Sequence, residues 1–313
     1  MSYAGSNIVW GYAMLEKEIR ELEGGLLSFP HEDTQPLPGG RRISAVWKKQ
    51  LLRLLFLLLY PLAFLLRDLA AANPDWAEQA FAQGFYPGFS SAVGSVFGWM
   101  PFSFSEFLVY ALLILLGVWI IRTIISAVKK KLRLVNLVRT LITFALIGGV
   151  GMNLFYVMWG FNYSRYSVAY TLNLNVEEQP PQALADLCVL LAKQANALRA
   201  QQAEDEHGTF FYEEGNSGIL KKIPGAYAAL AQDYPQFARS IAIPAPKPVL
   251  ASEMMSYAGI SGIYIPFTEE ANVNVHQPPL LVAFAGAHES AHFLGVCRED
   301  EANFISYLAC LYS

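Results

Sequence analysis

The sequence predicts a two-part molecule: an N-terminal membrane α-helical part with three transmembrane helices, then an α+β, mostly helical domain with a small sheet on the extracytoplasmic side. Three observations predict it. Of 313 residues, 54% are hydrophobic and only 15% charged, with mean hydropathy +0.31, which is too apolar for an ordinary soluble chain. The long apolar runs all lie before residue 162, and from about Asn175 the composition becomes that of a soluble domain. Close to the C-terminus stands His288-Glu289-Ser290-Ala291-His292, an HExxH pentapeptide.

Residues 1–40 read as a cytoplasmic extension, with a short helix at Tyr12–Glu23 and a Pro- and Gly-containing linker from Pro30 to Gly40. No apolar run follows Met1 closely, so no cleaved signal peptide is expected. Residues 41–162 form the expected membrane domain, with spans at about 51–71, 106–128 and 141–160. The first apolar run, Leu54–Leu66, is short for a span of roughly 20 residues; it becomes adequate when the flanking Arg53 and Arg67 snorkel. Ser103 and Glu106 form an S-x-x-E capping box at the entry of the second span. Asn153 is the strongly polar side chain of the third.

Charge placement orients the spans. Arg41, Arg42, Lys48, Lys49 and Arg53 precede the first; Lys129, Lys130, Lys131, Arg133 and Arg139 separate the other two. The positive-inside rule makes both clusters cytoplasmic, so the N-terminus is inside and the C-terminal domain outside the cell membrane. The segment Phe85–Phe104, uncharged and rich in Gly, Pro, Ser and aromatic residues, reads as an interfacial loop in preference to a cap over the C-terminal domain. Trp159, Tyr163, Tyr166 and Tyr170 read as an interfacial aromatic belt.

In residues 163–313, Leu184, Leu187, Leu190, Leu191 and Leu198 recur at helical spacing within Ala183–Gln201. Gln202–Ser217 reads as a loop and Pro224–Asp233 as a short helix. Pro248–Ala251, Ile263–Phe267 and Ala271–Val275 read as strands; the last places Ala271, Val273 and Val275 on one face and Asn272 and Asn274 on the other. Pro278 and Pro279 then start, and Gly295 ends, a helix over Leu280–Leu294 that is apolar all round apart from the HExxH residues, hence buried. Its length is short for an intramembrane helix, which favours a water-exposed domain near the membrane surface.

Residues four apart share a helix face, so His288 and His292 can offer ring nitrogens to one Zn²⁺ while Glu289 takes a proton from water. A catalytic zinc wants a third protein ligand. The pattern HExxHxxGxxH fails at Arg298, which cannot ligate. Glu299, with Ala302 and Asn303, resembles the E-x-x-A-N pattern that opens the second helix of glutamate-type zincins; Asn303 would then orient a ligand, and Glu301 is the fallback third ligand. Tyr257, Tyr264 and His276 are unranked candidates for stabilising an oxyanion, and the strand Ala271–Val275 is a candidate edge for an extended peptide. The net charge of −4 and a pI near 5.8 give no reason to expect nucleic-acid binding. Cys188, Cys297 and Cys310 form neither a CxxC nor a disulfide framework, and Cys297 reads as a small buried residue.

From Leu51 onward the chain resembles the bacterial membrane family called domain of unknown function 3810. The resemblance rests on Tyr86-Pro87, Pro101-Phe102-Ser103, Trp159-Gly160-Phe161-Asn162-Tyr163, Met255-Ser256-Tyr257, Gly259-Ile260-Ser261-Gly262, Tyr264-Ile265-Pro266-Phe267-Thr268, Glu270-Ala271-Asn272-Val273-Asn274 and the block His288–Tyr307. It implies a membrane-anchored, zincin-like zinc metallopeptidase acting on peptides or proteins, and it brings no known substrate. The chain stops at Ser313 inside an expected helix where such proteins continue, which leaves open whether the domain is truncated. The alternative is a catalytically silent zincin-fold membrane sensor or scaffold. A transport role ranks last, because the spans carry little beyond Asn153 to line a path.

Overall fold

The computed structural model describes residues 45–129 and 134–313; the expected extension, its helix and linker, and Arg41, Arg42, Lys130, Lys131 and Arg133 lie outside the described residues. Helix α1 (Ala45–Leu54) passes through a 3₁₀ turn at Leu55–Leu58 into α2 (Leu59–Ala71). A short α3 (Pro74–Trp76) leads to a π-helical stretch, Ala77–Phe85, and to α4 (Tyr86–Phe97). Helices α5 (Phe104–Val128) and α6 (Leu134–Met158) follow. Three stretches, Lys48–Ala71, Phe104–Val128 and Leu134–Met158, are long and apolar enough to cross a bilayer, which marks a membrane-associated protein.

Helices α2 and α6 pack together through polar side-chain contacts to backbone carbonyls. The Tyr60 hydroxyl donates to the Ala145 carbonyl (2.8 Å), and the Asn153 amide donates to the Leu59 carbonyl (2.8 Å), just where the 3₁₀ turn interrupts the regular ladder. Asn153 is thus interhelical glue, the use expected of a polar side chain among apolar helices.

After α7 (Val168–Thr171), helix α8 (Pro181–Arg199) forms where the leucine spacing predicts, yet none of its residues is buried. Helix α9 (Gly215–Asp233) starts nine residues before the expected Pro224 and runs through it. The cost of an interior proline is met by burial of Ile219, Leu220, Ile223, Tyr227 and Leu230 on one stripe.

The sheet is three-stranded: β1 (Lys247–Pro248), then α10 (Ser252–Tyr257), β2 (Gly262–Ile265) and β3 (Glu270–Val273), in the order β1-β3-β2. β3 lies in the middle, parallel to β1 and antiparallel to β2. Two expectations are corrected here. The strand expected at Pro248–Ala251 ends at Pro248, and the alternation expected in Ala271–Val275 is absent, because both faces of the central strand are covered and every β3 residue is buried. Helices α11 (Pro279–Phe293) and α12 (Glu299–Leu311) complete the chain. The α11 helix is exposed in its first turn at Leu280 and Leu281 and buried from Ala285 through Ala287 and again from Glu289 to its end, so it is not buried all round.

The segment Phe85–Phe104 is the largest correction. Most of it is helix and not loop: Tyr86 is fully buried, and α4 approaches α11 closely enough that a methyl group at Gly94 would meet the Phe293 ring, while Phe85, Val96 and Trp99 stay exposed. One core therefore joins residues on both sides of position 162, with Ala70, Phe81, Tyr86, Trp159 and Phe161 packed among Phe293, Leu294 and Ile305.

A buried ion pair ties α5 to the sheet. The Glu270 carboxylate accepts from the Phe104 amide (2.9 Å) and the Ser105 amide (2.7 Å) at the head of α5, and from the buried Lys247 ammonium (2.6 Å). Burial opposes its ionisation, but the ammonium and the two amides hold the carboxyl below the usual carboxylate range. The capping box is half realised: Ser103 accepts from the Glu106 amide (3.0 Å), while the Glu106 carboxylate turns instead to the Leu250 and Ala251 amides (2.9 and 2.8 Å).

Glu270→Ala strands a buried ammonium and two amides, and should cost about 3–5 kcal/mol. Thermal unfolding of the detergent-solubilised protein checks it; an unchanged midpoint would show that the pair does not hold α5 to the sheet.

Candidate metal centre

Helix α11 carries the HExxH residues at its C-terminal end. It closes with Gly295 at φ +77°, a left-handed position that frees the chain to turn into α12 within a few residues. That tight return faces the first turn of α12 toward the two histidines. The His288 Nε2 lies 3.0 Å from a Glu299 carboxylate oxygen and the His292 Nε2 lies 3.8 Å from the other. One ligand atom from each of His288, His292 and Glu299 lies within 4.8 Å of the others.

Both imidazoles are oriented by their second nitrogen. The His292 Nδ1 donates to the Val296 carbonyl (2.7 Å), which can only accept, so Nε2 is left as the lone-pair atom. The His288 Nδ1 pairs with Asn303 Oδ1 at 2.9 Å, the orienting position that the E-x-x-A-N pattern anticipates. Burial, opposed by the Val296 contact, holds the His292 imidazole below its usual range, the neutral form that a metal requires. The Glu299 side chain is 73% exposed, so the cluster opens to solvent.

Glu289 sits over strand β2. A methyl group at Gly262 would fall 2.7 Å from the Glu289 Cγ, so only glycine admits the carboxylate there. Burial and the neighbouring Glu299 carboxylate push Glu289 up to about 8, against the opposing Tyr264 amide contact. Glu289, His292 and Glu299 line one cavity of about 330 Å³ with Trp159, Tyr163 and Gly262.

The structure separates the remaining candidates. The Glu301 carboxylate is taken by the Val168 amide and by Arg298, each at 3.0 Å, and stands outside the His288–His292–Glu299 group. The Tyr264 hydroxyl is bound to Glu269 and to Tyr86. Tyr257 is exposed, and neither it nor His276 lines the cavity. Cys297 is buried with its thiol pushed up by burial, and is not part of the cluster.

Two residues assigned to an aromatic belt also line the candidate site. The buried Trp159 indole donates to the His292 carbonyl (3.1 Å) and stands edge-on to the His292 ring, and Tyr163 packs against Trp159 at the cavity wall. Belt and cavity wall share one composition.

Behind the cluster, Glu269 is buried with φ +53°. Its carboxylate meets the Tyr86 hydroxyl (3.0 Å) and the Tyr264 hydroxyl. Tyr86 also lies 3.1 Å from the Phe293 carbonyl. Burial, resisted by both hydroxyls, raises Glu269 to about 8.

These features define a mostly helical, membrane-associated protein with an oriented His-His-Glu cluster. A family model described as protein of unknown function (DUF3810) matches residues 81–313, and the chain belongs to that family. No curated protein matches it, and no solved structure does.

Glu269 gives a pH prediction. Its folded pKa of about 8 lies above the unfolded value of 4.5, so the unfolded chain releases the proton first as pH rises. Stability should fall by up to about 5 kcal/mol between those values and be restored on acidification. Denaturant titrations across that range should show a shallower decline in Glu269→Gln; an identical slope would contradict the assignment.

Proposed function

We propose that the protein is a membrane-anchored zinc metallopeptidase of zincin-like architecture, with its catalytic domain outside the cytoplasm. The observation that carries the reading is the convergence of His288 Nε2, His292 Nε2 and the Glu299 carboxylate, with both Nδ1 atoms already engaged. That donor set suits zinc, which favours imidazole and carboxylate ligands and keeps one position open in catalytic sites. Bound there, zinc would supply Lewis-acid polarisation of a carbonyl and acidify a water molecule.

Glu289 takes the proton of the attacking water and passes it to the leaving amine. Its seat against Gly262 fixes its direction. The Tyr163 phenol, at the same wall, is the donor we assign to the developing oxyanion, in place of Tyr257, Tyr264 and His276. The substrate strand is also reassigned. β3 is paired on both edges, whereas among the described residues β2 pairs only with β3, so an extended peptide adds at β2, beside Glu289. The orientation follows the charges: Lys129 and Arg139 lie at the helix ends remote from the cluster.

Purified wild-type protein should hold about one zinc per chain by elemental analysis. His288→Ala and Glu299→Ala should lose it and Glu301→Ala should keep it. An intact wild type without zinc would sink the reading in favour of a silent sensor or scaffold. Glu289→Gln should retain zinc and lose cleavage of unstructured protein. Tyr163→Phe should lower kcat by about 10²–10³ with little change in KM; a change confined to KM would assign Tyr163 to binding alone.

A further inference from the structure

Strand β2 separates two cavities. Gly262 and Tyr264 turn toward α11, the first against Glu289 and the second with its ring 5.9 Å from that of His292. Alternation sends Ile263 and Ile265 to the opposite face. There they line a second cavity of about 180 Å³ with Val109, Tyr110, Val249 and Met255. The charged group at its wall is satisfied, because the Glu106 carboxylate accepts from the Leu250 and Ala251 amides and from the Tyr110 hydroxyl. Ser103, Ser105 and Asn272 also border it but are almost fully buried, so the exposed lining is largely hydrocarbon. Ile263, 41% exposed, lines both cavities, so they meet at the β2 edge that no other strand covers among the described residues.

The second cavity also sits at the head of an apolar helix. The roughly 20 residues from Val109 to Val128 rise about 30 Å, the hydrocarbon thickness of a bilayer. Val109 and Tyr110 lie in the second turn of α5, near its sheet-side end. Leu250 and Met254, each 74% exposed, extend the apolar surface beside Val249 and Met255.

We propose that this pocket is a substrate subsite: it takes a large aliphatic or aromatic side chain from a polypeptide segment that lies just outside the bilayer. The assignment rests on the peptidase reading above. A peptide paired with the β2 edge alternates its side chains as β2 does. Where one residue faces Glu289 and the histidine pair, its neighbour points past Ile263 into the pocket. The hydrocarbon lining sets the chemistry of that neighbour. The position beside the membrane helix sets the substrate class, a membrane-inserted protein cut close to its anchor.

The test uses the full chain carrying Glu289→Gln in lipid nanodiscs. Binding is measured by fluorescence anisotropy for two short labelled peptides identical except for one Leu or Ala. The Leu peptide should bind about tenfold tighter or better, the discrimination an apolar pocket gives for a few missing methyl groups. Met255→Trp, which fills the pocket, should abolish the preference at unchanged metal content, and Val109→Trp does the same from the opposite wall should the first variant fail to fold. Equal affinity for the two peptides overturns the proposal, as does a preference that survives the filling variants. Displacement of the Leu peptide by monomeric dihexanoylphosphatidylcholine would assign the pocket to lipid and also overturn it. A Leu preference without any cleavage by wild type keeps the pocket and removes the peptidase reading; cleavage without a preference does the reverse.

Discussion

The Glu270 carboxylate is the fixed point of this molecule. It satisfies two amides that the first turn of α5 cannot pair internally, neutralises a buried lysine from β1, and belongs to the central strand β3. An unpaired charge at that depth would cost several kcal/mol, so α5, the first strand and the central strand are held in one arrangement. β2 is then placed by pairing with β3, and Glu289 by its seat on β2 at Gly262. The Glu289 carboxylate thus takes its position, through the sheet, from an ion pair that touches none of His288, His292 and Glu299.

A second set of contacts comes from the other side. The Trp159 indole donates to the His292 carbonyl, and the Tyr86 hydroxyl lies 3.1 Å from the Phe293 carbonyl. The last carbonyls of a helix have no partner within it. Here they are met by residues just after α6 and at the start of α4. The ring of His292 is therefore held at its backbone as well as at Nδ1, and its Nε2 direction is set before any ligand arrives.

What the sequence makes legible follows from the range of the interaction involved. The α11 helix, its proline start and its Gly295 stop are local signals, and the structure reproduces them within a residue or two. The approach of Glu299 to the histidines is readable for the same reason, since a left-handed glycine and a short link leave α12 few directions. Strand order is not local. Nothing within Ala271–Val275 reports that partners from 247–248 and 262–265 enclose it on both edges, and so its alternation looks like that of a half-exposed strand. The segment Phe85–Phe104 fails in another way. Its Gly, Ser and aromatic residues suit a membrane interface and a close helix crossing equally well, and only the contact of Gly94 with Phe293 distinguishes them. Pro224 shows propensity overruled by burial of the stripe around it.

The shared core has a consequence for folding cooperativity. Residues after the last apolar helix do not own all the groups that complete them: the amides for Glu270 come from α5, and the indole and phenol for the end of α11 come from positions 159 and 86. A fragment starting beyond α6 would expose the Phe293 and Leu294 surface and leave Lys247 and Glu270 with fewer partners. Loss of order in the residues after α6 and release of the apolar helices are thus coupled through one shared core.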